Sequence, residues 1–399
     1  MGRRQKIELR VKTPNFIPGP FYICGNLEQL GSWSKHIKLK PYAEDEYYIK
    51  IYLHLDEIQN LEFKFTCGNF DSVEVNKSWE DIDNRVIDIP TLNQRSAQFT
   101  IQNIRGYQHE TSQTAVKSSE NLGDFHSEIL GNSRNITIVY PPSFSPSNKI
   151  KYPTLYLHDG NNMFDCSTSY GGVEWAMDKV SWQLMNAGLI EEVILIAVSN
   201  TTEREAEYTP TKVRGNGGLG PKYLDCLVDE IIPFVEEKLP VEANSRGLLG
   251  SSYGGLITLL AAQYKRNFFS RFGIISPCLY WDKEWMIENF EPKNLLQSRT
   301  WMDIGTREFG APHKVGGRRY VERVRKLNRK IQSLSNLDYT FYEDSDAVHN
   351  EMSWNRRVHL PLLFLYGKEP HKWQKYIKWR QNVLCTWLKT KTENAEFMT

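Results

Sequence analysis

The sequence lacks an excess of charge of either sign: 49 Lys plus Arg face 48 Asp plus Glu, leaving +1 at pH 7. So balanced a chain offers no overall electrostatic footprint for nucleic acid, and no nucleic-acid partner is expected. Cysteine is scarce. The six (Cys24, Cys67, Cys166, Cys226, Cys278, Cys385) lie far apart with no CxxC pair, so neither a zinc site nor a disulfide framework is indicated and reduced, packed thiols are expected. Long hydrophobic runs are missing too. No window approaches the ~18 apolar residues of a membrane span, and the opening MGRRQKIELRVK lacks the apolar core of a signal peptide. The expectation is a soluble, cytosolic protein.

What is present divides the chain. Its 399 residues are 40% hydrophobic and 12% aromatic, enough at about 100–200 residues per domain for two domains with real cores. Up to residue 103 the apolar residues recur at every second position: Ile7, Leu9, Val11; Tyr47, Ile49, Ile51, Leu53; Leu61, Phe63, Phe65; Phe99, Ile101. Period two is the signature of half-buried strands. The runs are short and separated by turn-rich clusters, which predicts an all-β sandwich over 1–103. The polar stretch GYQHETSQTAVKSSENLG, within 104–123, has no apolar period and reads as a linker. Beyond it the apolar runs become continuous (TLYL, VILIAV, FGII), as strands covered on both faces require. Between them lie helical patterns, the clearest with Leu224, Leu227, Val228, Ile231, Val235 and Leu239 at spacings of three and four and Pro233 as a kink. Alternating strands and helices over 124–367 predict an α/β fold on a parallel sheet. The end, 368–399, contains HKWQKYIKWRQNVLCTWLKTK, a basic amphipathic helix by spacing. Packing of that helix on the second domain is expected rather than membrane contact.

The chemistry concentrates in the second domain. GLLGSSYGG at 247–255 is a short apolar strand running through G-x-S-x-G into an apolar helix. That context suits a nucleophile elbow, in which flanking glycines clear the turn that lifts Ser252 above the sheet. A serine hydroxyl needs a base, and the base needs a carboxylate, in the chain order Ser, acid, His for this class of sheet. The strand WMDI turns out into GTRE, offering Glu308 as the acid, with Asp303, Asp344 and Asp346 as alternatives; the strand DYTFYE leads to SDAVHNEMSW, offering His349 as the base. His158, at the end of TLYL, is expected to be structural. Oxyanion donors are expected from the backbone N–H groups of Tyr253 and Asn161. This chemistry calls for no metal and no cofactor.

LYLHDGNNMFD, EYTPT, YLDCLVDEIIPFVEEKLP, GSSYGG, IGTRE and VHNEMSWNRR, in this order from about 124 to 367, resemble the esterase D family of enterochelin, feruloyl and acetylxylan esterases, S-formylglutathione hydrolases and mycolyltransferases. The resemblance implies an α/β-hydrolase fold with Ser252 as nucleophile, Glu308 as acid, where members commonly carry Asp, His349 as base, and Asn161 and Tyr253 as oxyanion donors. Trp33 and Trp79 stand in turn-rich segments, and alternation along LEFKF places Lys64 opposite Phe63 and Phe65, on the solvent face. CGNLEQLGSW, LEFKF and WEDIDNR resemble family 20 carbohydrate-binding modules, the starch-binding domains. That resemblance implies an immunoglobulin-like β-sandwich that stacks α-glucan on Trp33 and Trp79, with Lys64 and Asn84 as polar contacts. The combined expectation is a serine esterase acting on a small ester substrate and tethered to α-glucan. Its rivals are a catalytically inactive glucan-binding scaffold and a thioester hydrolase or acyltransferase.

Overall fold

A computed structural model describes residues 4–13, 20–42, 46–54, 59–76, 80–89, 96–105, 119–147 and 150–377. Contacts divide the chain into two compact units, Met1–Thr111 and Ser112–Thr399.

The first unit is all β. Its strands are β1 (Arg4–Lys12), β2 (Tyr22–Gly25), β3 (Ile37–Lys38), β4 (Lys40–Pro41), β5 (Glu46–His54), β6 (Asn60–Thr66), β7 (Glu74–Val75), β8 (Arg85–Asp88), β9 (Ser96–Thr100) and β10 (Asn103–Ile104). They form two four-stranded sheets, β4-β5-β1-β9 and β3-β2-β6-β8, and a short β10-β7 pair. Ile7, Leu9 and Val11 of β1 and Ile51 and Leu53 of β5 share one core with Ile23, Leu61, Phe63, Phe65 and Ile87 of the other sheet. The period-two residues of the sequence are thus the facing layers of a sandwich.

The second unit contains β11 (Ser119–Ser127), β12 (Asn132–Val139), β13 (Tyr152–Leu157), α1 (Met177–Asn186), β14 (Ile194–Val198), α2 (Arg204–Glu207), β15 (Lys212–Val213), β16 (Asn216–Gly217), α3 (Gly220–Asp225), α4 (Ile232–Glu236), β17 (Val241–Ser251), α5 (Tyr253–Tyr264), β18 (Arg271–Ile275), α6 (Trp285–Asn289), β19 (Arg299–Gly305), α7 (Val315–Gln332), β20 (Asp338–Asp344), α8 (Glu351–Arg357) and α9 (His359–Tyr366). Eight strands form one sheet in the order β11-β12-β14-β13-β17-β18-β19-β20. From β14 to β20 neighbours are parallel, whereas β11 and β12 run antiparallel. Every residue of β13 and β14 is buried, because helices cover both faces. One core packs α5 and α7 on the sheet; the other packs α1 and α9 on its opposite side.

Three sequence expectations change. The polar connection expected over 104–123 is shorter at both ends: Ile104 is buried and paired in β10, and residues 119–123 belong to β11, with a register shift between Asn121 and Asp124. They escaped the pattern because β11 is an edge strand whose side chains there are exposed or half-buried, so nothing required apolar residues. The single helix expected over 224–239 is α3, a wider π turn over Cys226–Ile231, and α4. Pro233 has no N–H for the Asp229 carbonyl, and the turn before it widens. At the C-terminal end, Pro370–Tyr376 forms 3-10 turns, with buried Trp373 set edge-on against Trp301 at 4.7 Å. Residues 378–399, which carry most of the expected amphipathic helix, lie outside the described residues. Among the described residues no helix is long and apolar enough to cross a membrane.

An ion pair with both side chains fully buried ties β12 to α2. Arg134 donates to Glu207 at 2.9 and 3.0 Å, and Asn132 adds a bond to the same carboxylate at 2.7 Å. Removing one partner strands the other charge away from water, at a cost of about 3–5 kcal/mol. Glu207→Ala is therefore expected to lower unfolding stability by about that amount in a urea titration followed by tryptophan fluorescence. A loss under about 1 kcal/mol, the range of an exposed pair, would contradict this.

Candidate active site

β17 ends at Ser251 and α5 begins at Tyr253, which leaves Ser252 as the hinge, with φ 55° and ψ −118°. A non-glycine residue in that region costs about 1–3 kcal/mol and persists only where its surroundings over-determine it. Here three backbone bonds do so: Ser252 N–H donates to Ile275 O at 3.0 Å, and the Ser252 carbonyl accepts from Cys278 N–H at 2.9 Å and Leu256 N–H at 3.0 Å. Gly250 is needed because a Cβ there would lie 2.7 Å from the Gly254 carbonyl. Ser252 is half-buried, at the carboxyl edge of the sheet.

Two loops meet this hinge. The turn after β19 is clipped to the turn after β20 by the Arg307 N–H bond to Ala347 O at 2.9 Å. That approach requires Gly305, since a Cβ there would sit 2.4 Å from Ala347 O. Asn350 caps α8 through its side chain, accepting from Ser353 N–H at 2.9 Å, which fixes the residue before it, His349. His349 Nε2 lies 2.9 Å from Ser252 Oγ, and its Nδ1 lies 2.5 Å from Glu308 Oε2. Glu308 is fully buried; its Oε1 accepts from Gly305 N–H at 3.0 Å and from Ser276 Oγ at 2.6 Å. The imidazole is walled by aromatics: Phe309 stacks on it at 4.3 Å, and Tyr320 and Trp354 meet it edge-on at 5.2 and 5.0 Å.

Of the four acidic residues weighed as partners of the histidine, Glu308 is the one bonded to it. Asp303 accepts from Arg357 at 2.9 Å and from Trp301 Nε1 at 2.8 Å. Asp344 lies 3.5 Å from Arg357 and accepts from the Tyr342 hydroxyl. Asp346 is exposed. His158 is the first residue past β13, a strand in the middle of the sheet, with Nδ1 2.9 Å from the Tyr223 hydroxyl. Burial pushes its imidazole down to about 3, so it is neutral and structural. Ser276 and Tyr320 carry no motif in the sequence, and Arg357 closes VHNEMSWNRR without a role assigned to it, yet the three converge on the Glu308 side of the site. Ser276 takes a left-handed backbone, φ 40°, which a serine in IISPC does not advertise.

The loop after β13 forms a 3-10 turn over Gly160–Asn162. Asn161 is tied down: its Oδ1 accepts from Asn200 N–H at 3.3 Å, its Nδ2 donates to Asn162 at 3.0 Å, and its carbonyl accepts from the Thr168 hydroxyl at 2.7 Å. The Tyr253 N–H opens α5, where no intrahelical acceptor exists. Beside it, Asp159 binds Arg204 at 2.5 and 2.8 Å. Burial raises the Asp159 carboxyl, and Arg204 and Asn200 outweigh it, so the group is held below its usual range.

In the first unit, Trp33 is half-buried with φ 60°, its N–H bound to Gly25 O at 2.9 Å. Asn84 is exposed, and Trp79 lies outside the described residues. Lys64 departs from the expectation of a side chain open to solvent. It is half-buried and donates to Ile82 O at 2.6 Å, because the 80–84 segment folds over its end of β6 and the ammonium satisfies that carbonyl.

Glu351, two residues past His349, is raised to about 7 by burial. Below its ordinary value of 4.5 the carboxyl is neutral in both folded and unfolded chains. Between that value and about 7 the unfolded chain ionises while the folded chain keeps the proton, so stability falls as pH rises through this window. Glu351→Gln removes the titration. It is expected to gain stability over the native chain at pH 8 relative to pH 4 in paired urea titrations; an equal difference at both pH values would refute the assignment.

The Esterase family model, described as "Putative esterase", matches residues 127–361, more than half of the chain, and the starch binding domain model matches residues 7–99. The "Uncharacterized protein YbbA" of Bacillus subtilis (strain 168) is 26% identical over 256 residues, 61% of this chain and 96% of that protein. The "Apo-salmochelin esterase" of Escherichia coli O6:H1 (strain CFT073) is 29% identical over 143 residues, 30% of this chain and 40% of that enzyme. Among solved structures, the BES protein from Bacillus cereus superposes with a TM-score of 0.53 at 19% identity, covering 65% of this chain and 98% of that one, a likeness of fold. With the family model spanning its α/β unit and the starch-binding model its β-sandwich, the chain belongs to the esterase family and is a carboxylic ester hydrolase with an N-terminal starch-binding domain.

Proposed function

We propose that Ser252, His349 and Glu308 are the nucleophile, general base and orienting acid of a serine esterase that its N-terminal unit holds on α-glucan. The supporting observation is the unbroken row of contacts, 2.9 Å from Ser252 Oγ to His349 Nε2 and 2.5 Å from Nδ1 to Glu308. In this reading Ser252 Oγ attacks the ester carbonyl as His349 Nε2 takes its proton. The tetrahedral oxyanion is held by the N–H groups of Tyr253 and Asn161. The imidazolium, steadied by Glu308, then protonates the leaving alcohol, and water, deprotonated by His349, hydrolyses the acyl-enzyme and restores Ser252. Trp33 and Trp79 would stack on sugar faces of the glucan, and Asn84 with the remaining Lys64 donors would bind hydroxyls. The two four-stranded sheets of the first unit suit an immunoglobulin-like arrangement. Tethering would raise the concentration of the esterase near esters carried on or beside the polysaccharide.

Ser252→Ala is expected to lower kcat on a chromogenic short-chain ester by at least about 10³-fold, as loss of a serine nucleophile does. Equal rates for variant and native chain would remove the nucleophile assignment. Glycogen pull-down tests the other unit: the double variant Trp33→Ala, Trp79→Ala is expected to bind about tenfold more weakly, each lost ring contributing about 0.5–1.5 kcal/mol. Undiminished retention would dismiss both tryptophans as the stacking platform.

A further inference from the structure

We propose that Ser276 and Arg357 are positioning residues of this esterase: a buried guanidinium, acting through the Ser276 hydroxyl, fixes the direction of that hydroxyl's hydrogen bond to Glu308 and with it the placement of the carboxylate that orients His349. The proposal rests on the reading of Glu308 as the orienting acid.

Ser276 follows β18 and spends every polar atom it has. Its N–H donates to Asp303 O at 3.1 Å, its carbonyl accepts from the Tyr320 hydroxyl at 2.8 Å, and its Oγ contacts Glu308 Oε1 at 2.6 Å and Arg357 Nη2 at 2.8 Å. A hydroxyl carries a single hydrogen, and a guanidinium has donors only. Arg357 must therefore donate to Oγ, and the Ser276 hydrogen must point at Glu308. Gly305 N–H donates to the same carboxylate oxygen at 3.0 Å, so Oε1 faces donors alone. At Oε2 the acceptor role is completed by His349 Nδ1–H, and an imidazole with hydrogen on Nδ1 presents a bare Nε2 to Ser252 Oγ. Arg357, which cannot accept, orders the Ser276 hydrogen toward Glu308, and the carboxylate so held at Oε1 accepts from His349 at Oε2.

The guanidinium can hold that end because nothing reorients it. Arg357 is 2% exposed and is paired with Asp303, itself fully buried, at 2.9 Å and flanked by Asp344 at 3.5 Å. Asp303 offsets its charge, and Ser276 rather than water receives its remaining Nη2 hydrogen. A cross-brace that merely stiffened the fold would need no donor on Ser276 aimed at Glu308. Nor would its loss act on turnover alone.

A double-mutant cycle on the full chain reads this coupling. Ser276→Ala removes the hydroxyl, and Ser276→Gly removes it while relieving the left-handed backbone, so agreement between the two excludes strain as the cause. Losing a hydrogen bond to a charged group corresponds to a fall in kcat of about tenfold to a hundredfold, expected with KM within about twofold because Ser276 is fully buried. In a Glu308→Gln background, already slow, the same changes are expected to alter kcat by less than about twofold, since their target is gone. The pair Arg357→Gln with Asp303→Asn keeps the charge balance but lets position 357 accept; it is expected to lower kcat by about tenfold or more while retaining a donor. If Ser276→Ala and Ser276→Gly cost as much in the Glu308→Gln background as in the native one, or cost nothing in either, the relay is wrong. If Glu308→Gln itself turns over at the native rate, the Ser-His-Glu reading has failed, a separate result.

Discussion

Adjacent parallel strands hand their ends to one another by the same bond, repeated three times. Ser252 N–H hangs from Ile275 O at 3.0 Å, Ser276 N–H from Asp303 O at 3.1 Å and Thr306 N–H from Asp344 O at 3.0 Å. Each is the first residue past its strand, and each is held by the strand next in the sheet. Because β17, β18, β19 and β20 pair in register to their ends, this ladder sets the hinge serine, the residue behind the carboxylate and the turn that carries Glu308 side by side. Groups that act on one carbonyl carbon must be held to within about 0.5 Å, a tolerance that a sheet edge meets and a free loop does not.

Three buried charges are matched by partners on a neighbouring element. Arg134 with Glu207, Arg204 with Asp159 and Arg357 with Asp303 each link a strand or its outgoing loop to a helix. Such pairs contribute little net stability, because desolvation offsets most of the attraction. What they impose is geometry. An unpaired partner at any of these places would cost several kcal/mol, so the loops after β13 and the segment around α2 are confined to the arrangement in which both ends meet.

The sequence made the fold legible wherever burial was two-sided or strictly alternating. β13, β14 and β18 are continuous apolar runs because helices cover both their faces, and β1, β5 and β6 alternate because one face of each is wet. β11 was invisible for the opposite reason, since an edge strand with exposed residues has no apolar pattern to show. The elbow at Ser252 was readable because Gly250 is fixed by a clash and Gly254 by a tight approach to Asp159, which leaves a motif. Glu308 was preferred to Asp303 for its place in the turn after β19, but Asp303 stayed open as an alternative because what occupies it is Arg357, a residue far along the chain. Ser276 and Tyr320 left no trace, since their roles depend on partners far along the chain. The bond of Lys64 to Ile82 O was not legible, because alternation assigns a face but says nothing of the segment that meets it.

The aromatic setting of His349 has a consequence for motion. With Phe309 lying flat against one face and Tyr320 and Trp354 abutting its edge, the imidazole cannot turn over about its Cβ–Cγ bond without pushing three rings aside. A histidine freed by half a revolution would exchange nitrogen for carbon at both contacts and idle until it flipped back. Phe309 is 40% exposed, so the pawl of this ratchet is also part of the protein's surface.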